Sequence, residues 1–268
     1  MEVTLLGSGD AIGMPAPMCG CEYCLKSDRR RRSGLLIETD QTTIVLDISP
    51  DIKEQLHHEE VFDVDAFFVT HFHYDHFWGI QELNHIALKD EDHAFNPGDF
   101  DYNGWHDRRI RLFGNQTTKS HWEKTHHYGR VKESENIEFK EMRKDETVKI
   151  NDLKVTSFGI EHGEEGTTQG YVVEKDGKKI AYAPDSWELE ESNAYKDSDI
   201  FFAEGQLFEM EGHANQQVLK QQLEDTDADR IVLLSVTEHL NQRHTEELEE
   251  AAEKQGYEIW SDFTTMKI

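Results

Sequence analysis

The segment Thr70-His71-Phe72-His73-Tyr74-Asp75-His76 places three imidazoles and one carboxylate within six consecutive positions. It follows the apolar run 66–69, which is typical of a buried strand. Histidine and aspartate are ligands that zinc and similar divalent ions prefer. Without a metal, polar groups crowded this tightly would each need another partner. The alternative is a histidine-rich surface turn, which the rest of the chain disfavours. We therefore predict a two-metal site, with His71 and His73 facing one ion and Asp75 and His76 turning toward a second.

Three further candidate ligands, His162, Asp185 and His239, each follow an apolar run that is typical of a strand. Each of them alone could be an ordinary loop residue. Loops at the ends of strands can nevertheless bring distant side chains together at one edge of a sheet. We therefore expect all three to join the cluster, with the Asp185 carboxylate bridging two ions.

These residues make the chain resemble the metallo-β-lactamase-fold hydrolases over essentially its whole length. The pattern His71-x-His73-x-Asp75-His76 matches the signature of that superfamily in full. The resemblance implies an α/β fold, an αββα four-layer sandwich, as a single domain over residues 1–268, and a site for two divalent ions, Zn2+ or Mn2+. In that site the first ion would be held by His71, His73 and His162, the second by Asp75, His76 and His239, with Asp185 bridging and Asp47 supporting the site from behind.

A narrower resemblance concerns the start of the chain, where the segment Gly7-Ser8-Gly9-Asp10-Ala11-Ile12-Gly13-Met14-Pro15 precedes Cys19-x-Cys21-x-x-Cys24. The cyclic ribosyl-phosphate phosphodiesterases of phosphonate breakdown and the PQQ-associated proteins of the same superfamily begin similarly. In these relatives the three cysteines hold a structural zinc together with a histidine from near the chain end. Three cysteines also suit thiolate ligands better than disulfides, because one would stay unpaired. The alternative is three unliganded thiols in a glycine-rich loop.

The fourth ligand of this cysteine site is assigned to His244. The phosphodiesterases have a histidine three positions beyond the final active-site ligand, where this chain has Gln242, and His244 lies two positions later. At the final ligand itself, relatives usually have Thr-His where this chain has Glu238-His239. The run 238–244 still parallels the Thr-His-apolar-Ser-x-Arg-Tyr pattern of the tRNA 3′-processing endonucleases, so His239 is kept as the final ligand.

A catalytic role is assigned to His213, which precedes the helix predicted at 215–223. The phosphodiesterases and the tRNA endonucleases both have a histidine before the corresponding helix, placed to protonate the leaving group. The alternative is a surface histidine at a helix start. Asp75, a ligand of the second ion, is counted with His213 as catalytic.

The composition is strongly acidic, because 55 aspartates and glutamates against 28 lysines and arginines give a formal net charge of −27. Such a charge repels itself in dilute buffer, whereas in molar salt the Debye length falls to about 3 Å and screens the repulsion. We therefore expect a halophile-type protein of a salty cytoplasm. The charge also argues against loose nucleic-acid binding, which depends on Lys and Arg contacts to phosphates. The basic run 29–32 is either a solvated loop or a contact for a phosphate or acidic substrate.

Short apolar runs predict strands at 2–6, 34–38, 42–46, 66–70, 109–113, 153–158, 169–174, 179–183, 199–203 and 230–236. Helices are predicted after a Ser49 cap and at 79–88, 215–223 and 245–254. Residues 89–107 are interpreted as a loop insertion that borders the substrate site. The sequence shows neither a basic leader nor an apolar run of about 20 residues, so we expect a soluble, cytoplasmic protein without membrane contact.

The ligand set favours a dinuclear metal-dependent hydrolase, and His213 favours a phosphodiesterase. Two ions about 3.5–4 Å apart can hold a bridging hydroxide and bind a phosphoryl oxygen at the same time. We expect small cyclic phosphate or nucleotide-like substrates, and a homodimer as in the nearest relatives. Three alternatives stay open: a tRNA 3′-processing endonuclease, a thioester or lactone hydrolase, and a non-catalytic binding protein like the PQQ-associated relatives.

Overall fold

The computed structural model describes residues 1–86, 109–125, 137–163, 167–205 and 216–268. The insertion predicted at 89–107 and the candidate catalytic residue His213 lie outside the described residues. The described strands are β1 (Glu2–Gly7), β2 (Gly34–Glu38), β3 (Thr43–Leu46), β4 (Ala66–Phe68), β5 (Ile110–Gly114), β6 (Ile137–Glu141), β7 (Thr147–Ile150), β8 (Leu153–Glu161), β9 (Thr168–Lys175), β10 (Lys178–Ala183), β11 (Glu188–Leu189), β12 (Ile200–Glu204), β13 (Ile231–Leu234), β14 (Glu258–Ile259) and β15 (Thr265–Lys267). The described helices are α1 (Glu22–Lys26), α2 (Ile52–His58), α3 (Tyr74–Phe77), α4 (Ile80–Ile86), α5 (Gln116–Thr125), α6 (Gln216–Glu224), α7 (Glu238–Asn241) and α8 (Thr245–Glu253).

The strands form two sheets. The first has the order β15-β1-β2-β3-β4-β5-β6, and it is antiparallel from β15 to β3 and parallel from β3 to β6. The second has the order β11-β8-β9-β10-β12-β13-β14, antiparallel from β11 to β10 and parallel beyond β10, with β7 pairing to β8 outside this path. In each sheet, therefore, an antiparallel half adjoins a parallel half.

The central strands of both sheets are buried on both faces, which explains why their sequences are nearly continuous apolar runs. In β2, Leu35 and Ile37 belong to the central cluster between the sheets, while Leu36 packs with the helices outside. The central cluster also joins Phe68 of the first sheet to Tyr171 of the second. Residues of α2, α3 and α4 cover the outer face of the first sheet, and residues of α6 and α8 cover that of the second. The predicted αββα four-layer sandwich is confirmed.

Two predicted boundaries differ from the structure at the positions that build the site. The strand predicted to end at Thr70 ends at Phe68, because the Thr70 backbone N–H donates to the Asp47 carboxylate, 2.8 Å away, instead of to a neighbouring strand. The helix predicted to be capped by Ser49 begins at Ile52 after Asp51. The Ser49 hydroxyl instead accepts the Asp51 N–H at 3.3 Å.

Each arginine of the basic run 29–32 is paired with a carboxylate. Arg29 and Arg31 both pair with Glu54, and Arg32 pairs with Asp51. Arg30 is buried and forms an ion pair with Glu238, which is also buried. Nε of Arg30 lies 3.0 Å and 3.1 Å from the two carboxylate oxygens of Glu238. The run therefore ties the N-terminal loop to α2 and to the start of α7.

The loops that follow β3, β4, β8 and β10 meet at one edge of the two sheets. Two contacts join the sheets there: the Tyr171 hydroxyl donates to the Val69 carbonyl at 2.7 Å, and the Gln169 N–H donates to the Thr70 carbonyl at 3.1 Å. This edge carries the predicted ligands. Among the described helices, none has the length and apolar character needed to cross a membrane.

Candidate metal centres

The buried carboxylate of Asp47 organises the site from behind the predicted ligands. It accepts bonds from the Thr70 N–H (2.8 Å), the Thr70 hydroxyl (2.9 Å) and the Tyr182 hydroxyl (3.0 Å). It also lies 2.7 Å from Nδ1 of His76. Asp47 has a left-handed backbone, with φ 64°, a region that aspartate tolerates better than most residues. Because Asp47 holds Nδ1 of His76, Nε2 of that ring is left to face the site.

The first group of candidate ligands consists of His71, His73, His162 and Asp185. His73 Nδ1 lies 2.9 Å from His71 Nε2 and 3.2 Å from His162 Nε2. Asp185 Oδ2 lies 3.5 Å from His162 Nε2 and 3.9 Å from His71 Nε2. Zn–N bonds of about 2.0–2.1 Å in a tetrahedral site place ligand atoms about 3.3–3.4 Å apart. The spacing of these four atoms therefore fits one zinc-sized ion.

The protonation states in the first group also suit a metal, because ligands must bind in their unprotonated forms. Burial, assisted by the neighbouring His76, lowers the pKa of His71 well below its usual value. Burial likewise lowers the pKa of His162. Burial alone would raise the pKa of Asp185, but the imidazoles of His76, His71 and His162 hold it below its usual value. The group therefore offers His71 and His162 as neutral imidazoles and Asp185 as a carboxylate.

The second group consists of Asp75, His76 and again Asp185. Nε2 of His76 is buried without a hydrogen-bond partner, 3.0 Å from Asp75 Oδ2 and 3.2 Å from Asp185 Oδ1. Burial alone would lower the pKa of His76, but the carboxylates of Asp75, Asp185 and Asp47 raise it well above its usual value. A ring nitrogen between two carboxylates needs a cation there, either its own proton or a metal ion. This arrangement fits a second divalent ion, with Asp185 offering one oxygen to each group.

The cysteine group consists of Cys19, Cys21, Cys24 and His239. Nδ1 of His239 lies 3.6, 3.4 and 3.5 Å from the three sulfur atoms in that order. Zn–S bonds of about 2.3 Å and Zn–N bonds of about 2.0–2.1 Å predict a tetrahedral S···N separation of about 3.6 Å. The backbone N–H of Cys24, followed by His239, lowers the pKa of Cys21 to about 6, whereas burial raises that of Cys24. The four donors fit one zinc ion.

The structure corrects the predicted position of His239. It places His239 among the cysteines, not with Asp75 and His76 in the second group. The physical reason is the neighbouring residue, because the buried Arg30–Glu238 ion pair fixes the first turn of α7 against the N-terminal loop that carries the cysteines. The spacing of the last two histidines in the phosphodiesterases could have indicated this position of His239. If His239 is aligned with their second histidine, three positions beyond the final ligand, then Val236 occupies the final-ligand position.

His244 does not join the cysteine group, contrary to its assignment from the sequence. The helix α7 ends at Asn241, and Gln242 follows in a left-handed conformation with φ 52°, which turns the chain away. His244 then caps α8, accepting the Glu247 backbone N–H, and its ring centroid lies 5.1 Å from that of Tyr23. Its role in the structure is to start a helix.

The mouth of the centre carries aromatic side chains. Trp187 is 39% exposed, and its ring centroid lies 5.4 Å from that of His162. Tyr74 is also exposed, and the Arg32 guanidinium lies 5.5 Å from its ring centroid. His73 itself is exposed. The first group is therefore accessible from solvent. A site that binds a substrate requires such access.

Residues 42–234 match the Beta-lactamase superfamily domain. A curated relative, an octanoyltransferase from Porphyromonas gingivalis (strain ATCC BAA-308 / W83), is 27% identical over 261 residues, which are 92% of this chain and 48% of that protein. The chain thus spans about half the length of that relative.

Two crystal structures share the fold over the whole chain. A diphosphatase from the PhnP family has a TM-score of 0.77 and 21% identity, covering 100% of this chain and 97% of that one. Zn(2+)-bound PqqB from Methylobacterium extorquens has a TM-score of 0.78 and 18% identity, covering 100% of both chains. Because the matched domain takes in most of this chain, including the histidine/aspartate segment and Asp185, the protein belongs to the β-lactamase superfamily.

Proposed function

We propose that this protein is a metal-dependent phosphodiesterase that acts on small cyclic phosphate or nucleotide-like substrates. The observation that carries the proposal is the pair of ligand groups that share Asp185, one on each carboxylate oxygen. Two adjacent cation positions suit a reaction in which negative charge develops on both the attacking and the leaving oxygen, as in phosphoryl transfer. The fold shared with a diphosphatase supports phosphoryl chemistry.

When bound, divalent ions supply a water of lowered pKa and electrophilic stabilisation of a phosphoryl oxygen. Other residues of the chain orient the imidazoles that would hold these ions. Asp47 fixes His76 through Nδ1, and the Thr70 hydroxyl, 3.0 Å from His71 Nδ1, fixes the ring of His71. Asp185 sets the spacing between the two groups. Such outer partners keep imidazole ligands in the correct tautomer and orientation.

The leaving alkoxide needs a proton, and His213 remains the predicted donor. A His213→Ala variant would then lose activity on substrates with poor leaving groups and keep it on p-nitrophenyl esters, whose leaving group needs no proton. Equal loss on both substrate types would assign His213 another role.

A second candidate is hydrolysis of an acyl ester or thioester, favoured by the octanoyltransferase relative. That protein is about twice as long as this chain, so its named activity can belong to the part that this chain does not match. The tRNA endonuclease alternative has less support, because a net charge of −27 opposes binding to a polyanion. The binding-protein alternative is disfavoured because a binding module has no need for two adjoining ligand groups open to solvent.

The test is a substrate panel in molar potassium chloride with metal-loaded protein. Bis(p-nitrophenyl) phosphate, a cyclic ribosyl phosphate, a nucleoside diphosphate and an octanoyl thioester are compared for wild type and His73→Ala. We expect hydrolysis of the phosphodiesters by wild type and its loss in the variant. His57→Ala, an exposed histidine away from the ligand groups, is the matched control. Thioester hydrolysis without phosphodiesterase activity would overturn the proposal.

A further inference from the structure

The second group has fewer protein ligands than the first. Within the described ranges, the first group has three imidazoles of its own and one oxygen of Asp185, whereas the second has Asp75 and His76 of its own and the other Asp185 oxygen. Among the described residues, no fourth ligand atom lies with the second group. The residue that the sequence pattern assigned to it, His239, is within 3.4–3.6 Å of three sulfur atoms elsewhere.

The missing ligand would be expected in the segment that follows β13. The side chains and backbone of this segment are instead used in hydrogen bonds and apolar packing. The Ser235 N–H donates to the Ser8 carbonyl at 3.1 Å, and Val236 is buried in the apolar cluster outside the second sheet. The Thr237 hydroxyl donates to Asp10 Oδ2 at 3.0 Å. This segment is therefore used to join the last parallel strands to the N-terminal loop.

Asp10 does not replace the missing ligand, although its charge is close enough to interact with that of Asp75. Its Oδ1 accepts the backbone N–H groups of Ile12 and Gly13, each at 2.9 Å, and its Oδ2 accepts the Thr237 hydroxyl. Both oxygens are thus engaged within the loop. Asp10 supports the segment after β13 and does not complete the second group.

We propose that the centre is asymmetric: the first group holds a tightly bound zinc ion, and the second is a weak, exchangeable three-ligand site that takes a harder ion such as Mn2+. Two carboxylates and one imidazole form a more oxygen-rich set than three imidazoles and one carboxylate, and oxygen ligands suit Mn2+. The positions that these three ligands leave open would be available to water or to a substrate. This inference rests on the metal centre of the proposed function but not on its phosphodiester substrate.

The test measures metal binding in the full-length protein without substrate. Zinc content is determined by mass spectrometry after dialysis against a weak chelator, and Mn2+ is then titrated in and followed by its electron paramagnetic resonance signal. We expect two zinc ions per chain to be retained, in the first and the cysteine groups. One Mn2+ should then bind to the second group, with an affinity more than about tenfold below that of zinc for the first group. Even the loss of an outer partner costs a metal site about 10–100-fold in affinity. Three equally retained zinc ions would overturn the proposal.

Variants assign each ion to its group. Asp75→Asn should abolish Mn2+ binding, so that the free-ion signal of added Mn2+ is no longer attenuated, and should keep both zinc ions, whereas Cys21→Ser and His239→Ala should each lose one zinc ion and keep the Mn2+ site. If His239→Ala instead removed Mn2+ binding while Cys21→Ser did not, His239 would belong to the second group and the proposal would be wrong. None of these readouts depends on turnover, so a failure of the phosphodiesterase proposal would leave them interpretable.

Discussion

The cysteine group and the second group differ as a closed and an open candidate metal site. The cysteine group has four protein ligands from segments separated by 215–220 residues, and its histidine is anchored through a buried ion pair. In the part of the chain that the structure describes, the second group has three candidate ligands, one of them shared, beside an exposed histidine of the first group. Closed four-ligand zinc sites are typically structural, and open sites are catalytic. The comparison predicts that substitutions in the cysteine group lower the stability of the protein, whereas substitutions in the second group lower its activity.

The largest effect is expected for Asp185→Asn, because Asp185 belongs to both groups of the active centre. Activity should fall to background, since one substitution weakens both cation positions. The melting temperature should change little by comparison, because Asp185 belongs to none of the buried apolar clusters. Hydrolysis of bis(p-nitrophenyl) phosphate and thermal unfolding check this, with the exposed Asp28→Asn as control. Retention of a tenth or more of the activity would contradict the assignment of Asp185.

Arg30→Met tests whether the buried ion pair anchors His239. Removing one partner of a buried pair leaves an uncompensated charge and costs about 3–5 kcal/mol. The free energy of unfolding should fall by this amount, and zinc should be lost from the cysteine group because α7 is no longer fixed. The double variant Arg30→Met/Glu238→Met should recover much of the stability. If the single variant kept both its stability and its zinc, the pair would not anchor the helix.

Cys21→Ser should destabilise the protein by more than about 3 kcal/mol, since loss of a metal is among the few changes with effects this large. For a chain of this size the melting temperature falls by about 2–4 °C per kcal/mol. The turnover of molecules that remain folded should stay near that of wild type. Leu25→Ser, an exposed neighbour in α1, is the control. A selective loss of turnover without loss of stability would make the cysteine group part of the catalytic centre.

Asp47→Asn should reduce activity by about 10–100-fold, the usual effect of losing an outer partner of a metal ligand. The amide keeps the shape but loses the charge that faces His76 Nδ1. Tyr182→Phe removes only one of the bonds to Asp47 and should have a smaller effect. Mn2+ affinity should fall in parallel with activity. An Asp47→Asn variant with wild-type activity would show that the orientation of His76 does not depend on this carboxylate.

The smallest effect per residue is the effect of salt concentration on the melting temperature, because salt screens all the charges of the acidic surface at once. Because repulsion among the carboxylates is screened in molar salt, the melting temperature should rise steadily with potassium chloride. The cysteine group contains no aspartate or glutamate and should contribute little to this dependence, so Cys21→Ser should shift the curve downward without changing its slope. A melting temperature that is independent of salt would contradict the halophile interpretation.

Local sequence patterns predicted the fold and most of the centre. The segment 70–76 fixes four ligands because they lie within one turn after a strand, and Asp185 follows a strand whose apolar run is clear. Five described strands were not predicted, since exposed polar residues hide the pairing of β6 and β7, and β11, β14 and β15 are only two or three residues long. His239 was misplaced because sequence order does not show which way the turn after β13 directs a side chain. That direction is set by Arg30, which is 208 residues away.

The most direct measurement is anomalous diffraction at the zinc and manganese edges, from crystals of the substrate-free protein grown with both metals. The account predicts zinc peaks inside the cysteine group, bound by His239 Nδ1, and inside the first group. It predicts a manganese peak of lower occupancy between Asp75, His76 and Asp185. A His239 ring directed at Asp75 and His76, or zinc at full occupancy in the second group, would contradict it.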